Sequence, residues 1–360
     1  MILLSLSDFH LGKGRFLSNG HHNILEDFFE DDRFIEFLHY YSTGIYEDQE
    51  VHLVLNGDIL NMIQIDDGGE FSHIMDEEFC VHALTEIYRG HRPFFKALRE
   101  FQQKEGKEIT FIIGNHDAGM AFEKAQEKLK ELVGEIDICF HKTIHGVYFE
   151  HGHRFEAINS VEGAPYFLKG PKGQKILNLP WGSLFCVHVL PQLKSERPYI
   201  DKVRPIVSYI IWCLLHDFTF FLKMSYVVLR YLFVSRGDKY ISQNKNFKTT
   251  LKILKQVTIY PRYEKMAKKI LKTDPNIKAV VMGHTHVLEW RKFPGEKLYF
   301  NTGTWNPIPS VDAGMHESKQ RLSYAKIELS ADKQFIIRSS LNVWQGQWRP
   351  FREEVTLEEI

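Results

Sequence analysis

The sequence predicts a layered α/β domain carrying a helical insertion. Three observations predict it. Apolar strand-like runs alternate with helically spaced segments and then follow one another as strands. Those runs repeatedly end in Gly, Asp, Asn or His. Residues 155–275 abandon this pattern for long apolar, aromatic and basic sequence.

Each element follows from local pattern. Residues 2–7 read as a buried strand, and "DDRFIEFLHYY" (31–41) places apolar residues at helical spacing. "VHLVLNGD" (51–58) is a strand ending in Gly-Asp. Residues 76–104 are helical, with Pro93 marking a break or a new N-terminus. "ITFIIGNHD" (109–117) is a strand, and 119–133 a helix. "GVYFEHGH" (146–153) and "IKAVVMGHTH" (277–286) are strands that end in histidine pairs. "KLYFNTGTW" (297–305), "RLSYAKIEL" (321–329) and "FIIRSSLNV" (335–343) complete the set. Residues 1–154 and 276–345 thus form the core, 155–275 the insertion, and 346–360 a tail.

The chain has 360 residues, 44% of them apolar, enough for a sizeable core. Its four cysteines (Cys80, Cys139, Cys186, Cys213) lack CxxC spacing, which argues against a disulfide framework and suits a reducing cytosol. The first residues lack the charged and apolar regions of a secretory signal, so a cytoplasmic location is expected. The net charge of −1 hides an asymmetry: −16 over residues 1–164, +14 over 165–275 and +1 over 276–360. A basic block of that kind suggests an anionic partner, set against the plainer reading of a solvated lysine-rich face. "EDFFEDD" (26–32) reads as a solvated, self-repelling surface loop.

In the insertion, residues 206–234 read as one apolar helix with a narrow polar stripe of Ser208, His216, Thr219, Lys223 and Arg230. A buried cap helix, an interfacial helix and the wall of an acyl-chain groove all fit that pattern. Asp217, Lys223 and Arg230 argue against a full membrane span.

Chemistry enters through five short motifs. Asp8 and His10 form D-x-H; Gly57-Asp58 ends the second strand; GNHD spans 114–117; His151 and His153 form HGH; His284 and His286 form GHTH. Singly, each is ordinary turn chemistry. In this order, each after a strand, they offer carboxylates, an Asn amide and imidazoles without a thiolate. Such ligands suit Mn²⁺, Fe or Zn²⁺ over a structural zinc. Seven or eight ligands exceed one tetrahedral site and fit two ions sharing a bridging carboxylate.

The ordered set resembles the calcineurin-like metallophosphoesterase superfamily over residues 1–154 and about 276–310. The resemblance implies a four-layer α/β/β/α sandwich and hydrolysis of a phosphoester or phosphoanhydride by a metal-bridging hydroxide. It implies that two divalent ions, Mn²⁺ first and Fe or Zn²⁺ as alternatives, are held by Asp8, His10 and His286 and by Asn115, His151 and His284. Asp58 would bridge them. His116 would contact the scissile phosphate and help stabilise or protonate the leaving oxygen, with Asp117 orienting it. His153 would stand beside the ligands, and "NTGTW" (301–305) would support the site.

Within the superfamily, GHTH, NTGTW and the long insertion resemble the UDP-2,3-diacylglucosamine hydrolases, which cleave a pyrophosphate at the cytoplasmic membrane surface. The chain departs from them at His116, where they carry Arg, at His153, where they carry Asp, and in its longer insertion. The expected substrate is therefore an amphiphilic, lipid-linked phosphoester or pyrophosphate. Residues 165–275 would meet an anionic membrane surface on its inner face. A DNA or RNA nuclease is the alternative, since "SDFHLGKG" and GNHD also resemble repair nucleases of the superfamily; a nucleotide phosphodiesterase is another. A non-catalytic scaffold is disfavoured because every ligand position is filled. The sequence points to no protein partner.

Overall fold

The structure is a computed structural model that describes residues 1–17, 19–161, 164–198, 200, 203, 206–241, 262–307 and 322–346. The tail, apart from residue 346, and residues 242–261 of the basic insertion lie outside the described residues.

Two sheets face each other. The first has six strands in the order β13-β12-β1-β2-β3-β4. These are β1 (Ile2–Leu6), β2 (Val51–Asn56), β3 (Lys107–Ile112), β4 (Asp137–Cys139), β12 (Ser323–Leu329) and β13 (Ile336–Val343). The second has five strands in the order β10-β11-β9-β6-β5. These are β5 (His141–Ile144), β6 (Val147–Glu150), β9 (Ala279–Met282), β10 (Leu288–Phe293) and β11 (Lys297–Thr302). Strands β1 to β4 run parallel, as do β6, β9 and β11. A small hairpin, β7 (Phe167–Lys169) with β8 (Lys175–Leu177), belongs to the insertion.

Side-chain alternation sorts residues into layers. Leu3, Val54, Ile112, Val147, Phe149, Ala279, Val281, Phe300 and Ile327 pack between the sheets. The opposite face of the first sheet, with Leu4, Leu53, Leu55 and Phe111, packs on helices. Those helices are α1 (Asp31–Tyr40), α2 (Glu77–Gly90), α3 (Arg92–Gln102) and α4 (Glu123–Val133). Asp76 caps α2, its side chain accepting from Phe79 N at 3.0 Å. Buried Asn56 ties the sheets together, donating to Glu150 O (3.3 Å) and Val281 O (3.2 Å).

The insertion carries α5 (Trp181–His188), α6 (Leu190–Lys194), α7 (Ile206–His216), α8 (Phe218–Gly237) and α9 (Tyr263–Thr273). Helix α9 packs Tyr263, Ala267 and Leu271 against Tyr148, Val280, Met282 and Tyr299 on the outer face of the second sheet. It supplies the fourth layer, so the α/β/β/α expectation holds, yet it falls within the stretch read as insertion.

The single helix read over 206–234 is two helices. Asp217 breaks it and caps α8, accepting from Phe220 N at 3.3 Å. The inner side of the pair joins the α1–α4 core through Cys213, Phe220, Val227 and Tyr231. The outer side exposes Trp212, Leu215, Phe218, Leu222, Tyr226, Leu229 and Phe233. Among the described residues α8 alone is long and apolar enough to cross a membrane.

The acidic stretch 26–32 is no solvated loop. Glu26, Asp27 and Phe28 are buried. Glu26 accepts backbone N–H groups from Gly12 (3.2 Å), Gly14 (2.6 Å) and Phe28 (3.1 Å). Asp27 pairs with buried Lys194 of α6 at 3.2 Å, and Asp31 with His91 at 3.0 Å. The carboxylates are satisfied by partners distant in sequence, which a local charge run does not reveal.

Candidate metal centre

All five motifs arrive at one edge. Asp8 and His10 follow β1, Asp58 follows β2 and GNHD follows β3 in the first sheet. His151 and His153 follow β6, and His284 and His286 follow β9, in the second. These strands run parallel within their sheets, so their carboxyl ends converge. The ladder continues past β1: Asp8 N donates to Gly57 O (3.1 Å), His10 N to Asp58 O (2.9 Å) and Leu11 N to Ile59 O (2.9 Å).

The backbone is unusual there. Asp8, His10, Asp58, His284 and His286 all have positive φ, between 52° and 71°. Left-handed backbone disfavours residues with a Cβ, and its concentration at one place marks local structure held for a purpose. Gly114 permits the close approach of two strand ends: a Cβ there would lie 2.2 Å from Asp58 Oδ1.

The side chains form three overlapping groups that could hold a metal ion: Asp8, His10 and His286; Asp58, His151 and His284; and His10, Asp58 and His116. His286 Nε2 lies 3.3 Å from Asp8 Oδ1 and 3.1 Å from His10 Nε2. His151 Nε2 lies 3.1 Å from Asp58 Oδ2, which is 4.0 Å from His10 Nε2. Asp58 therefore stands between the two halves.

Orphaned polar atoms test whether a cation fits. Buried Asn115 Oδ1 has no hydrogen-bond partner among the described residues, and buried Asp8 Oδ1 and His151 Nε2 face only other atoms of the cluster, His286 Nε2 at 3.3 Å and Asp58 Oδ2 at 3.1 Å. Buried polar atoms are rarely left so. His151 Nδ1 donates to Asn56 O at 2.9 Å, so Nε2, 3.1 Å from Asp58 Oδ2, is the nitrogen on which a cation would replace the proton. The O and N donors, without a thiolate, fit a pair of divalent cations. His153 is beside the groups rather than in them, its ring centroid 5.5 Å from that of His151 and 6.3 Å from that of His284.

Electrostatics follow the crowding. Burial holds His10 well below the usual imidazole range, and neighbouring His116 adds to this. Burial likewise lowers His116. It drives His153 down to about 3, with His151 adding to the shift. For His151 burial acts downward too, but Asp58 and Asp8 override it and push it up to about 10. Burial acts upward on Asp58, and His151, His116 and His10 outweigh it, holding the carboxyl well below its usual value. Asp117 rises to about 7, through burial and the charge of Asp58.

One expected role moves. Asp117 does not orient His116: its carboxylate accepts from Gly114 N and from Ile59 N (2.9 Å) and so shapes the loop. The ring partner of His116 is Asn61, with Nδ1 2.9 Å from Asn61 Oδ1. Asn61 Nδ2 donates to Gln64 Oε1 at 2.7 Å, which fixes Oδ1 as the acceptor facing His116. A second group carried no sequence signal: Glu156, Asn159 and Tyr263 beside His284. Burial raises Glu156, but His284 and its other hydrogen bonds outweigh this and bring it to about 2.

The NTGTW segment and the Asn306 that follows it pack against the loop after β1. Thr304 Oγ1 donates to Asp8 O at 2.5 Å, and Asn306 Nδ2 to Phe9 O at 2.8 Å. Fully buried Trp305 packs against Phe9 with ring centroids 5.0 Å apart and planes tilted by 36°. His284 N donates to Asp8 Oδ2 at 2.9 Å and fixes that carboxylate.

No family model matches the chain, and no curated protein matches it. Similar solved structures include the calcineurin-like phosphoesterase YfkN from Bacillus subtilis, at 12% identity and TM-score 0.36, covering 96% of this chain and 90% of that one. A dimetal phosphatase from Danio rerio is similar at 9% identity and TM-score 0.35, covering 96% and 99%. Vps29 complexed with Zn²⁺ from Entamoeba histolytica is similar at 11% identity and TM-score 0.28, covering 96% and 100%.

Proposed function

We propose that the chain is a metal-dependent phosphohydrolase acting on an amphiphilic, lipid-linked phosphoester or pyrophosphate at a membrane surface. The observation that carries the hydrolase reading is the convergence of three overlapping His/Asp groups, sharing Asp58 and His10, at the carboxyl ends of two sheets. Asp8, His10 and His286 would hold one ion, Asn115, His151 and His284 the other, and Asp58 both. Such ions, Mn²⁺ foremost, would supply an activated water and neutralise charge on a phosphoryl group.

The chain's own residues do the rest. His116 keeps its Nδ1–H on Asn61, so Nε2 is the nitrogen left to exchange a proton with a leaving oxygen. Asp117 fixes the loop that carries it. Asp8 Oδ2 accepts from His284 N at 2.9 Å, so Oδ1 is the oxygen that would be offered to an ion.

The lipid part of the reading is supported by the outer side of α7 and α8. Apolar side chains there, Leu215 and Phe233 at 70% and 83% exposure, accompany exposed Arg230, Arg236 and Lys239. The nuclease alternative would place bases on aromatics interleaved with basic residues, and the insertion segregates its aromatics into apolar runs.

The test loads the protein with Mn²⁺ and offers bis-p-nitrophenyl phosphate, a UDP-sugar lipid, single-stranded DNA and nucleotides. Hydrolysis that Asp58→Asn abolishes is the expected result. Release of UMP supports the lipid-linked pyrophosphate, and release of nucleotides from DNA replaces it with the nuclease. Inactivity on all substrates with each of Mn²⁺, Fe²⁺ and Zn²⁺ would overturn the hydrolase reading.

A further inference from the structure

The second group of ligands has a support that no motif announced. His284 Nε2 lies 3.0 Å from Glu156 Oε2 and 3.1 Å from Asn159 Nδ2. Asn159 Nδ2 also donates to Glu156 Oε2 at 2.8 Å, and the ring of Tyr263 lies with its centroid 6.2 Å from that of His284. Glu156 is buried, with 7% of its surface exposed. A carboxylate accepts only, so His284 donates Nε2–H to it. The lone pair of the neutral ring then sits on Nδ1. With Nε2 committed, Nδ1 is the atom His284 can offer toward Asp58 and His151.

The support is assembled from three parts of the chain. Glu156 and Asn159 follow HGH, Tyr263 opens α9, and His284 follows β9. The insertion closes over it: Gly182 of α5 donates its N–H to Ile158 O at 2.7 Å, and a Cβ at Gly182 would lie 2.2 Å from Asn159 Oδ1.

We propose that Glu156, held by Asn159, is a positioning residue that fixes the tautomer and ring orientation of His284 and thereby sets the affinity of the second ion. The proposal rests on the dimetal reading above. A carboxylate behind a histidine ligand raises its basicity and holds its plane, and losing such a partner typically costs about 10–100-fold in metal affinity.

The experiment titrates metal-stripped protein with Mn²⁺ by calorimetry and records the electron paramagnetic resonance spectrum of the loaded form. Wild type is expected to bind two ions and give the spectrum of a spin-coupled pair. Glu156→Leu is expected to keep the first ion at wild-type affinity and bind the second about 10–100-fold more weakly, giving an uncoupled spectrum at one equivalent. Its metal-free melting temperature should stay that of wild type. Glu156→Gln, nearly isosteric and uncharged, should fall between, and decides the matter if the Leu variant does not fold. Wild-type affinity for both ions in Glu156→Gln would overturn the proposal. So would equal weakening of both ions with a lowered metal-free melting temperature, the mark of a merely structural role. Asp8→Asn, which should weaken the first ion, serves as the control. Fewer than two ions in wild type would sink the dimetal reading itself, and the proposal with it.

Discussion

His116 illustrates what a single side chain needs before it can act. An imidazole exchanges protons usefully only if one nitrogen is anchored, so that the other keeps a fixed direction. Asn61 provides the anchor at 2.9 Å, and is itself held by Gln64 at 2.7 Å. Asn61→Ala should therefore lower kcat with little change in KM. The loss should be about tenfold, short of the ~10²–10⁴-fold that a full general acid contributes, and steady-state kinetics on bis-p-nitrophenyl phosphate measures it. His116→Ala should cost the larger amount in the same assay. At this scale the sequence was half legible. Asp8, His10, Asp58, Asn115, His116, His151, His284 and His286 stood out because each follows an apolar run. Asn61 and Glu156 did not, because an amide or carboxylate outside a motif acquires meaning only from the ring it touches.

Elements were legible where burial is one-sided or complete. Strands β1, β2 and β9 are buried along their whole length and read plainly as apolar runs. Strands β4, β5 and β10 were not foreseen, because they lie at or toward sheet edges and carry exposed polar residues such as Asp137, His141 and Arg291. The break between α7 and α8 was hidden by apolar sequence on both sides of Asp217. The clamp around residues 11–14 gives a prediction at this scale. His91 sits between Glu26 (3.3 Å) and Asp31 (3.0 Å) and is 2% exposed. Burial acts to lower it, but the hydrogen bonds to Asp31 and Glu26 prevail and raise it to about 9. A folded-state value above the unfolded ~6.5 means stability that is fully present below that pH and lost as pH rises toward 9. The contribution is on the order of 3 kcal/mol. Urea unfolding at pH 6 and at pH 9.5 should show wild type losing stability that His91→Gln, already weaker at pH 6, does not lose further.

For the whole molecule, the insertion joins the core on one side and leaves an apolar face on the other. Its inner side is tied by the buried Lys194–Asp27 pair at 3.2 Å and by His188 against His73 at 3.1 Å. Under the proposed function the outer face, where Leu222, Phe233 and Arg230 are exposed, would meet an anionic bilayer surface. Flotation with phosphatidylglycerol vesicles should be strong at low salt and weaken as salt screens the basic side chains. Replacing Leu215, Leu222 and Phe233 together with Ser should abolish flotation while leaving hydrolysis of bis-p-nitrophenyl phosphate unchanged. Flotation of that variant at wild-type level, or no flotation of wild type, would overturn the assignment of this face to a membrane.

The two sheets, stitched at Asn56, also decide when in the life of the chain this centre comes into being. Asp8 emerges among the first residues, whereas His284 and His286 lie beyond the whole insertion. A nascent chain that ends after the loop following β3 carries Asp8, His10, Asp58 and Asn115 but none of the ligand histidines of the second sheet. The second sheet must dock before any cation can be enclosed. On the dimetal reading, metal uptake would therefore come late: a chain halted before β9 would lack His284 and His286, and tight retention of an ion would require that both halves have met in register.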